Sequence, residues 1–584
     1  MGHALPKTIN LMETTRFMRL IMKDEKKIPG VSDIKKLKHF NIYNKSQIQF
    51  EPTFISTGRQ IESIAKTKPH EIAIIEISKD DTEVKTATWQ ELYLKSNQMA
   101  WMFKEEGITH KSNVMVCLPN TITHVLAIYA AWKNGACYLP TAVRSTDREI
   151  DNFCALAKPD LIITDGYQPE GFKCITSEEL MERLPAYSEK MPPDILANPY
   201  RAQTTGGSTG KPKLIRYNRA AGESDESLMA WFYMTGQFFG CRQLICGPMF
   251  HSAPASALIS GLNCGNLVVM PNNFKPAAIA RYVREYEIEC VQMVPTLMHR
   301  IIKLENFNPD DFKSLKALSH TGGYCSPDLK RAWINIVGAK NLYEIYSMSE
   351  MIGVTVIRGD EWLEHPGSVG RPFGGCKISV RGEDGAELAP GEVGEIYMSP
   401  SGGYLETEYV GREQLQDSGD GFRSVGDMGY VDEEGYLYFS DRRSDMIVTG
   451  GENVFAVDVE NVFMQHPDIN DIVVVGIPDP EWGRRIHAVV EAKRELTYDE
   501  FRKYGWKFLL PFKVPKTVEY VDALPRKDSG KLNRAELAET CESLQKDLVR
   551  PFGVIDTGLR QVLRDRAIAA DAAEQTAANY GETK

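Results

Sequence analysis

The sequence of 584 residues lacks the marks of several large protein classes. Its eleven cysteines include no Cys-x-x-Cys pair and no metal-ligand spacing, which predicts reduced thiols rather than a zinc site or a disulfide framework. No apolar run approaches the roughly 20 residues that a membrane span needs. Charged side chains interrupt the first thirty residues, so we expect no secretory signal core. These absences predict a soluble cytoplasmic protein.

An excess of basic residues is also missing. The formal net charge is −11 and the isoelectric point is near 5.7, which argues against a general nucleic-acid-binding protein. No internal repeat is apparent, so repeat architectures are not expected. Lysines and arginines in any functional site must therefore act locally.

The chain is long enough for two or more domains. Residues 1–50 form a lysine-rich N-terminal arm, and residues 51–441 alternate strands with helices, with hairpins from about residue 376 onward. Residues 442–545 form a smaller module, followed by a tail, 546–584, that is expected to be a helix fraying into disorder. Strands alternating with helices predict a layered α/β domain with mainly parallel sheets.

Local signals place several elements. Thr88 and Glu91 form a capping box, which predicts a helix that ends at Gly107. A helix is predicted over Pro327–Val337, and strands over Leu161–Thr164 and Leu342–Tyr346. Ligands of open α/β sheets lie beyond the carboxyl ends of strands, so the segments that follow strands are the ones to search for a site.

The most informative stretch runs from Thr204 to Lys213. Its three glycines allow backbone N–H groups to approach an anion closely, while four hydroxyls and two lysines add donors and positive charge. It is not a Walker A loop, because three residues rather than four separate Gly206 from Gly210, and Pro212 follows Lys211. A flexible surface loop is the alternative. The density of hydroxyls and lysines favours a loop that binds a polyphosphate.

Three further segments follow predicted strands or precede hairpins. Thr321-Gly-Gly323 offers bare backbone that suits a planar base, and Glu350 supplies a carboxylate that suits magnesium beside a polyphosphate. Asp427, after a glycine, could accept both hydroxyls of a ribose. Each segment taken alone is typical of an ordinary turn.

Together these motifs, in this order over more than 300 residues, resemble the adenylate-forming superfamily of acyl-CoA synthetases, nonribosomal adenylation domains and luciferases. The resemblance implies a large layered α/β N-terminal domain with a β-rich subdomain, and a small mobile α+β C-terminal domain. It implies ATP, Mg²⁺ and coenzyme A as cofactor and co-substrates. It also implies ATP/AMP binding by a set of loop and strand-end residues: Thr204, Thr205, Gly206, Gly207, Ser208, Thr209, Gly210, Lys211, Thr321, Gly322, Gly323, Tyr346, Ser349, Asp427 and Arg442.

The remaining roles also come from the resemblance. Catalytic roles fall on Lys531, Glu350 and His251, and Glu350 is also the magnesium ligand. Coenzyme A binding falls on Gly450, Gly451 and Glu452, and the hinge between domains on Arg443 and Ser444. Ser444 departs from the pattern, because the family usually has Asp or Lys two positions after the arginine at 442.

A closer resemblance, over roughly residues 51–541, is to the bile-acid–CoA ligases of anaerobic gut bacteria. It rests on runs such as Arg358-Gly-Asp-Glu-Trp362 and Phe422-Arg-Ser-Val-Gly-Asp427. The expected partners are therefore a bile acid such as cholate, ATP and coenzyme A, with no nucleic acid and no membrane span. A homo-oligomer is compatible with the sequence.

Three alternatives stay open on the sequence. A CoA ligase for a fatty or aromatic carboxylate shares every motif. So does an adenylation enzyme that loads a carrier protein, although the chain has no carrier-like serine segment. A non-catalytic ATP-binding protein is the third alternative, against which the presence of both Glu350 and Lys531 argues.

Overall fold

The chain divides into two compact units, residues 1–51 and residues 52–584. The computed structural model describes residues 54–579, apart from residues 144, 206–212, 401–404, 412, 443–444, 450–451, 527–531, 547 and 549–550. The architecture that follows is that of the second unit.

The helices and strands of this unit alternate along most of its length. The helices, in chain order, are α1 (Thr57–Thr67), α2 (Trp89–Glu105), α3 (Ile122–Lys133), α4 (Asp147–Ala157), α5 (Ser177–Arg183), α6 (Asp225–Thr235), α7 (Ser252–Asn263), α8 (Pro276–Glu285), α9 (Pro295–Ile302), α10 (Pro327–Val337), α11 (Gly359–Trp362), α12 (Ala456–Met464), α13 (Tyr498–Gly505), α14 (Arg534–Gln545) and α15 (Leu559–Asn579). The strands are β1 (Ile55–Ser56), β2 (Ile72–Ile77), β3 (Val84–Thr88), β4 (Asn113–Cys117), β5 (Cys137–Pro140), β6 (Leu161–Thr164), β7 (Cys174–Ile175), β8 (Arg201–Thr205), β9 (Lys213–Tyr217), β10 (Gly222–Glu223), β11 (Arg242–Ile245), β12 (Leu267–Pro271), β13 (Cys290–Met293), β14 (Ala317–His320), β15 (Leu342–Ser347), β16 (Val354–Arg358), β17 (Arg371–Pro372), β18 (Lys377–Arg381), β19 (Gly394–Ser399), β20 (Thr407–Val410), β21 (Asp427–Val431), β22 (Leu437–Arg442), β23 (Ile447–Thr449), β24 (Glu452–Val454), β25 (Ile469–Asp479), β26 (Gly483–Ala492), β27 (Thr517–Val521) and β28 (Gly553–Val554).

Two large sheets organise residues 72–410. One has nine strands in the order β17-β16-β15-β14-β13-β11-β12-β2-β3, and its six central strands, β15 to β2, run parallel. The other has seven strands in the order β20-β9-β8-β5-β4-β6-β7, parallel from β8 to β7. The predicted layered α/β domain with mainly parallel sheets is confirmed.

Helix α3 shares one core with strands of both sheets. Every residue from His124 to Lys133 is buried, because apolar side chains occupy all faces of this helix rather than one stripe. The same core includes Val114 of β4 and Val268 of β12, which belong to different sheets. Burial of this kind holds the two sheets in a fixed relation.

The β-rich subdomain and the C-terminal domain follow. Strands β18, β19, β21 and β22 form an antiparallel four-stranded sheet, as the hairpin pattern predicts. The C-terminal domain holds a second four-stranded sheet, β25-β26-β27-β28, covered by helices α12 and α14. This is the small α+β domain that the resemblance implies.

The tail contributes to that C-terminal sheet. Strand β28 pairs in parallel with β27, and Leu559 and Leu563 of α15 are buried against the same core. The Glu519 carboxylate accepts hydrogen bonds from the hydroxyl of Thr557 and the N–H of Leu559, which caps the start of α15. The predicted helix is present, but the expected boundary at residue 545 divides one packed sheet, because strand pairing extends to residue 554.

Among the described residues no helix is both long enough and apolar enough to cross a lipid bilayer.

Candidate active site

The glycine-rich loop closes a hairpin between β8 and β9. Thr204 pairs with Leu214, and Thr205 pairs with Lys213, in antiparallel register. Six of the predicted phosphate ligands, from Gly206 to Lys211, lie outside the described residues, as does the Thr205 side chain. The strands that flank the loop nevertheless fix where its two ends lie.

Glu350 is held beside the exit of that loop. Its carboxylate accepts a 2.7 Å hydrogen bond from the Tyr409 hydroxyl, and its backbone carbonyl accepts one from the Thr407 hydroxyl. Both donors lie on β20, which pairs with β9, and the Lys213 ammonium lies 5.5 Å from the centre of the Tyr409 ring. Strand pairing therefore brings the predicted magnesium carboxylate to β9, the strand that follows the predicted phosphate loop.

Thr407 and Tyr409 were missed by the sequence analysis. No motif marks them, because their relation to Glu350 depends on β20 joining a sheet whose next strand lies about 190 residues earlier in the chain. A Tyr two residues after a Thr is the alternation expected of a strand with one face turned to a site. That pattern alone does not identify the partner strand.

Tyr217 supports the residue before Glu350. Its hydroxyl donates a 2.9 Å hydrogen bond to the backbone carbonyl of Ser349. Burial raises the pKa of Tyr217 to about 12, so the phenol keeps its proton and remains a donor at neutral pH. Ser349, predicted to contact the nucleotide, is therefore fixed through its backbone.

The predicted base-stacking and ribose residues are joined directly. The Tyr346 hydroxyl donates a 2.6 Å hydrogen bond to Oδ2 of Asp427, and Asp427 is only 4% exposed. Arg442 lies opposite Asp427 across the β21–β22 pair, although its side chain is not described. The structure thus brings together three residues predicted to bind the nucleotide, which are separated by up to 96 positions in sequence.

The segment Thr321-Gly322-Gly323 follows β14 directly. Gly322 has a φ of +83°, which favours glycine, and both glycines are exposed. A Cβ at Gly322 would make only an ordinary van der Waals contact with Val294, at 3.7 Å, so the positive φ rather than lack of space favours glycine here. The predicted contact of this backbone with a planar base stays a prediction.

A buried ion pair lies beneath this segment. Lys330 of α10 is hydrogen-bonded to the carboxylate of Glu344 on β15, and both residues are buried. His320, the last residue of β14, has its Nδ1 3.9 Å from Glu344. Burial lowers the pKa of His320, so its imidazole is neutral and does not compete with Lys330 for the carboxylate.

His251 stands at the start of helix α7. It is the N-cap residue, and its ring packs on Phe250 with 4.1 Å between centroids. The helix that follows carries small buried residues, among them Ala255 and Ala257. The predicted gate role of His251 beside an acyl pocket stays a prediction.

Most of the remaining predicted residues lie in the C-terminal domain, and apart from Glu452 only the chain that flanks them is described. Thr449 pairs with Glu452, so Gly450 and Gly451, which lie outside the described residues, connect β23 to β24. Glu452 is exposed.

Lys531 and the hinge residues Arg443 and Ser444 also lie outside the described part of the chain. An isolated bridge pairs Arg526 with Leu532, so the two ends of the segment that carries Lys531 are close together.

The C-terminal domain contacts the large domain next to the adenine segment. Tyr324, which follows Gly323, interacts with Asp458 and Asn461 of α12, and burial raises its pKa. Arg300 of α9 lies 3.8 Å from Asp471 on β25. One face of the small domain therefore lies at the edge of the proposed nucleotide site.

The residues present suit a magnesium ion bound together with phosphates. Across the residues that the structure describes, no group of three or more His, Cys, Asp or Glu side chains could hold a metal by itself. Glu350 would supply one oxygen ligand near the strand that follows the predicted phosphate loop. Magnesium is commonly held by one or two carboxylates plus substrate phosphates, so this single carboxylate fits.

Comparison with known protein families decides the assignment. Residues 61–405 match the AMP-binding enzyme family, and residues 458–531 match the AMP-binding enzyme C-terminal domain. The chain belongs to the AMP-binding enzyme family. Both matches fall within the domains described above, and the adenylate-forming superfamily inferred from the motifs is confirmed.

Two relatives match this chain over nearly their whole length. The uncharacterized acyl–CoA ligase YhfT of Bacillus subtilis is 28% identical over 501 residues, covering 82% of this chain and 97% of the relative. The long-chain-fatty-acid–CoA ligase FadD13 of Mycobacterium tuberculosis is 29% identical over 517 residues, covering 82% and 98%. At the level of reaction class, the chain is an AMP-forming acid–CoA ligase.

A solved structure gives the same fold. The o-succinylbenzoate CoA synthetase MenE of Bacillus subtilis, in complex with its acyl-adenylate intermediate, superposes with a TM-score of 0.70 at 25% identity, covering 83% of this chain and 98% of that one. The same synthetase has been solved with ATP and magnesium. ATP, Mg²⁺ and coenzyme A are the co-substrates and cofactor of this reaction class, as predicted.

Proposed function

We propose that this enzyme forms the coenzyme A thioester of a bile acid such as cholate. The observation that supports this reaction is a pair of hydrogen bonds. Tyr409 holds the carboxylate of Glu350 and Tyr217 holds the carbonyl of Ser349, next to the strand that follows the glycine-rich loop. The choice of acid rests on the closer resemblance to bile-acid–CoA ligases.

The first step activates a poor acyl donor. A carboxylate oxygen of the acid attacks the α-phosphorus of ATP, the bond from that phosphorus to the bridging oxygen breaks, and pyrophosphate leaves with the electron pair. Such transfers are catalysed mainly by positioning and by stabilising charge. The loop backbone would hold the pyrophosphate, while Asp427 and Tyr346 would hold the ribose and the base.

A magnesium ion, when bound, would neutralise charge on the phosphate oxygens. Glu350 is the residue that would hold it. Because Tyr409 and Thr407 fix both its carboxylate and its backbone, Glu350 is positioned before the nucleotide arrives.

The second step forms the thioester. The coenzyme A thiol gives its proton to solvent and its sulfur attacks the acyl carbon, and the bond from that carbon to the AMP oxygen breaks, so that AMP leaves with the electron pair. Gly450 and Gly451 would line the path of the thin pantetheine arm, since glycines permit close approach.

Lys531 is proposed to serve the first step alone, by bridging carboxylate and phosphate oxygens. It lies on the small domain, so one domain orientation would bring it in and a second would withdraw it, with rotation near Arg443 and Ser444. Lys531→Ala should abolish acyl-adenylate formation and largely spare thioester formation from a pre-made adenylate. Equal loss of both half-reactions would contradict this role.

The acyl pocket is compatible with a bulky rigid acid. Residues 251–261, in and before α7, are nearly all small. A rigid ring system fills such space at a small cost in ordering. Met348 packs beside the β-rich core and could adapt to an irregular apolar face.

Competition among carboxylates tests the substrate. Cholate, a long-chain fatty acid, benzoate and acetate are supplied together at equal concentration, and the thioesters are quantified to give relative kcat/KM values. We expect cholate to be preferred. A higher value for the fatty acid or for benzoate would overturn the bile-acid assignment, and the general acid–CoA ligase would stand.

A carrier-protein acceptor is tested separately. The relatives reported above are CoA ligases by name, which supports free coenzyme A as the acceptor here. Thioester formation with free coenzyme A should proceed without any added protein. Adenylate accumulation without thioester would point instead to a carrier protein. The absence of any acid-dependent pyrophosphate release would favour a non-catalytic ATP-binding protein.

A further inference from the structure

Arg201 is a buried arginine to which the proposed chemistry gives no role. It begins strand β8, is 4% exposed, and its Nε has no hydrogen-bond acceptor among the described residues. Three tyrosines, Tyr138, Tyr200 and Tyr217, lie around its guanidinium. Burial of a charge is costly, which favours a role for this guanidinium beyond packing.

One arm of Arg201 reaches the acyl side of the site. Its Nη2 donates a 3.0 Å hydrogen bond to the hydroxyl of Ser252. Ser252 is the first residue of α7 and directly follows His251, the proposed gate residue. The guanidinium therefore fixes the start of the helix that is proposed to line the acyl pocket.

The other arm reaches the nucleotide side. The guanidinium carbon lies 4.7 Å from the centre of the Tyr217 ring, a cation–π contact. Tyr217 donates its hydroxyl hydrogen to the Ser349 carbonyl, one residue before Glu350. One side chain thus touches both the pocket helix and the support of the magnesium segment.

A purely structural role for Arg201 explains less. The backbone of β8 is already paired with β5 and β9 at this position, through Tyr138 and Tyr217. The side chain adds nothing to that ladder. Its contacts instead connect two segments that bind different substrates.

We propose that Arg201 is a positioning residue that sets the acyl gate at the correct distance from the magnesium segment. The carboxylate of the acid and the α-phosphorus of ATP then meet in register, and a shift of either arm would misplace one reactant. This inference rests on the proposed function, because it takes His251 to lie beside the acyl pocket.

Four variants test the proposal. Ser252→Ala and Tyr217→Phe, the single-arm variants, each alter one of the two connections, and Arg201→Met and Arg201→Lys alter both. Acid-dependent ATP–pyrophosphate exchange gives the KM for the acid, the KM for Mg·ATP and kcat, and thermal unfolding is followed in parallel. Ser252→Ala should raise the KM for the acid about tenfold and leave that for Mg·ATP unchanged, since a hydrogen bond from the charged guanidinium is lost. Tyr217→Phe keeps the ring that contacts Arg201 and removes only the hydroxyl that holds the Ser349 carbonyl, so it should raise the KM for Mg·ATP and leave that for the acid unchanged.

Arg201→Met should raise both KM values and lower kcat by about tenfold or more, since misalignment of the reactants slows the step itself. Arg201→Lys should recover part of each effect. Arg219→Met is the matched control, because Arg219 lies just beyond β9 on the surface, 3.4 Å from Glu406, and its loss should change none of these values.

Two results would overturn the proposal. One is an Arg201→Met enzyme with a lower Tm but unchanged kinetic constants. The other is a pair of single-arm variants whose effects on the two substrates are indistinguishable. Should Arg201→Met fail to fold, the lysine variant and the single-arm variants decide the question.

Failure of the proposed function is recognised separately. It would appear as a wild-type enzyme that shows no pyrophosphate exchange with any of the acids supplied. Calorimetric titration with Mg·ATP needs no acid, so the Tyr217 arm is then tested by binding alone. Weaker binding in Tyr217→Phe and Arg201→Met, but not in Ser252→Ala, supports the positioning role, and equal binding by all of them contradicts it.

Discussion

Tyr346 donates its hydroxyl hydrogen to the buried carboxylate of Asp427 at 2.6 Å, across 81 residues of sequence. This bond orders the residue proposed to stack on adenine and the residue proposed to bind ribose before ATP arrives. A site that is ordered in advance loses less entropy on binding.

Removing this bond should weaken nucleotide binding and leave the acid unaffected. Tyr346→Phe keeps the ring and deletes only the donor, so the KM for ATP should rise by about tenfold, the loss expected for a hydrogen bond to a charged group. Pyrophosphate exchange at varied ATP measures the change. An unchanged KM for ATP would mean that Asp427 is positioned by other contacts.

The Tyr409 hydroxyl should matter for magnesium. Tyr409→Phe removes the donor to the Glu350 carboxylate, which frees that carboxylate to rotate away from the phosphate loop. The magnesium concentration that gives half-maximal exchange should rise about three- to tenfold. Saturating magnesium should restore most of the rate; a rate that stays low would assign Tyr409 a direct part in the chemistry.

The buried ion pair between Lys330 and Glu344 should govern stability. Lys330→Met leaves the carboxylate buried without its cation, which typically costs about 3–5 kcal/mol. The double variant Lys330→Met, Glu344→Leu should recover most of that loss. Lys340→Met, an exposed change just beyond α10, is the control and should stay within about 0.5 kcal/mol of wild type. Urea unfolding measures all three, and equal losses for both lysine variants would contradict the assignment.

A second buried lysine should make stability depend on pH. The ammonium of Lys133 donates to the hydroxyl of Ser96 and to the side-chain carbonyl of Asn97, and burial lowers its pKa to about 7. The unfolded chain keeps this proton up to about pH 10. Between these values the unfolded state binds more protons, so this group makes stability rise with pH, by at most about 1.4 kcal/mol per pH unit.

Lys133→Met should remove that slope between pH 7 and 9. Thermal unfolding of the wild type and the variant across this range tests the expectation, with the exposed change Lys111→Met as the control. A slope that persists in Lys133→Met would have to come from other groups.

Local sequence signals predicted individual elements well. The helix over Pro327–Val337 was predicted with its observed bounds, because Ser326 caps its start, proline occupies its first position and Gly338 ends it. The strand over Leu161–Thr164 was also predicted with its observed bounds. These signals act within a few residues of each element, so the sequence carries them directly.

The long-range contacts that hold the site residues in place could not be predicted in the same way. Tyr409 meets Glu350, and Arg201 meets Ser252, only because distant strands and helices pack together. Periodicity reports that a segment is a strand and which face is apolar, but not which strand it will join. The tail strand β28 escaped prediction for the same reason, since two residues give no periodic pattern.

The most direct test of the central claim is the product balance of one reaction. Wild-type enzyme, cholate, Mg·ATP and coenzyme A are incubated together, and nucleotides, pyrophosphate and thioester are quantified by chromatography with mass detection. We expect cholyl-CoA, AMP and pyrophosphate in equal amounts, all of them lost when cholate is omitted. ADP and phosphate as the nucleotide products, or AMP release without any thioester, would contradict it.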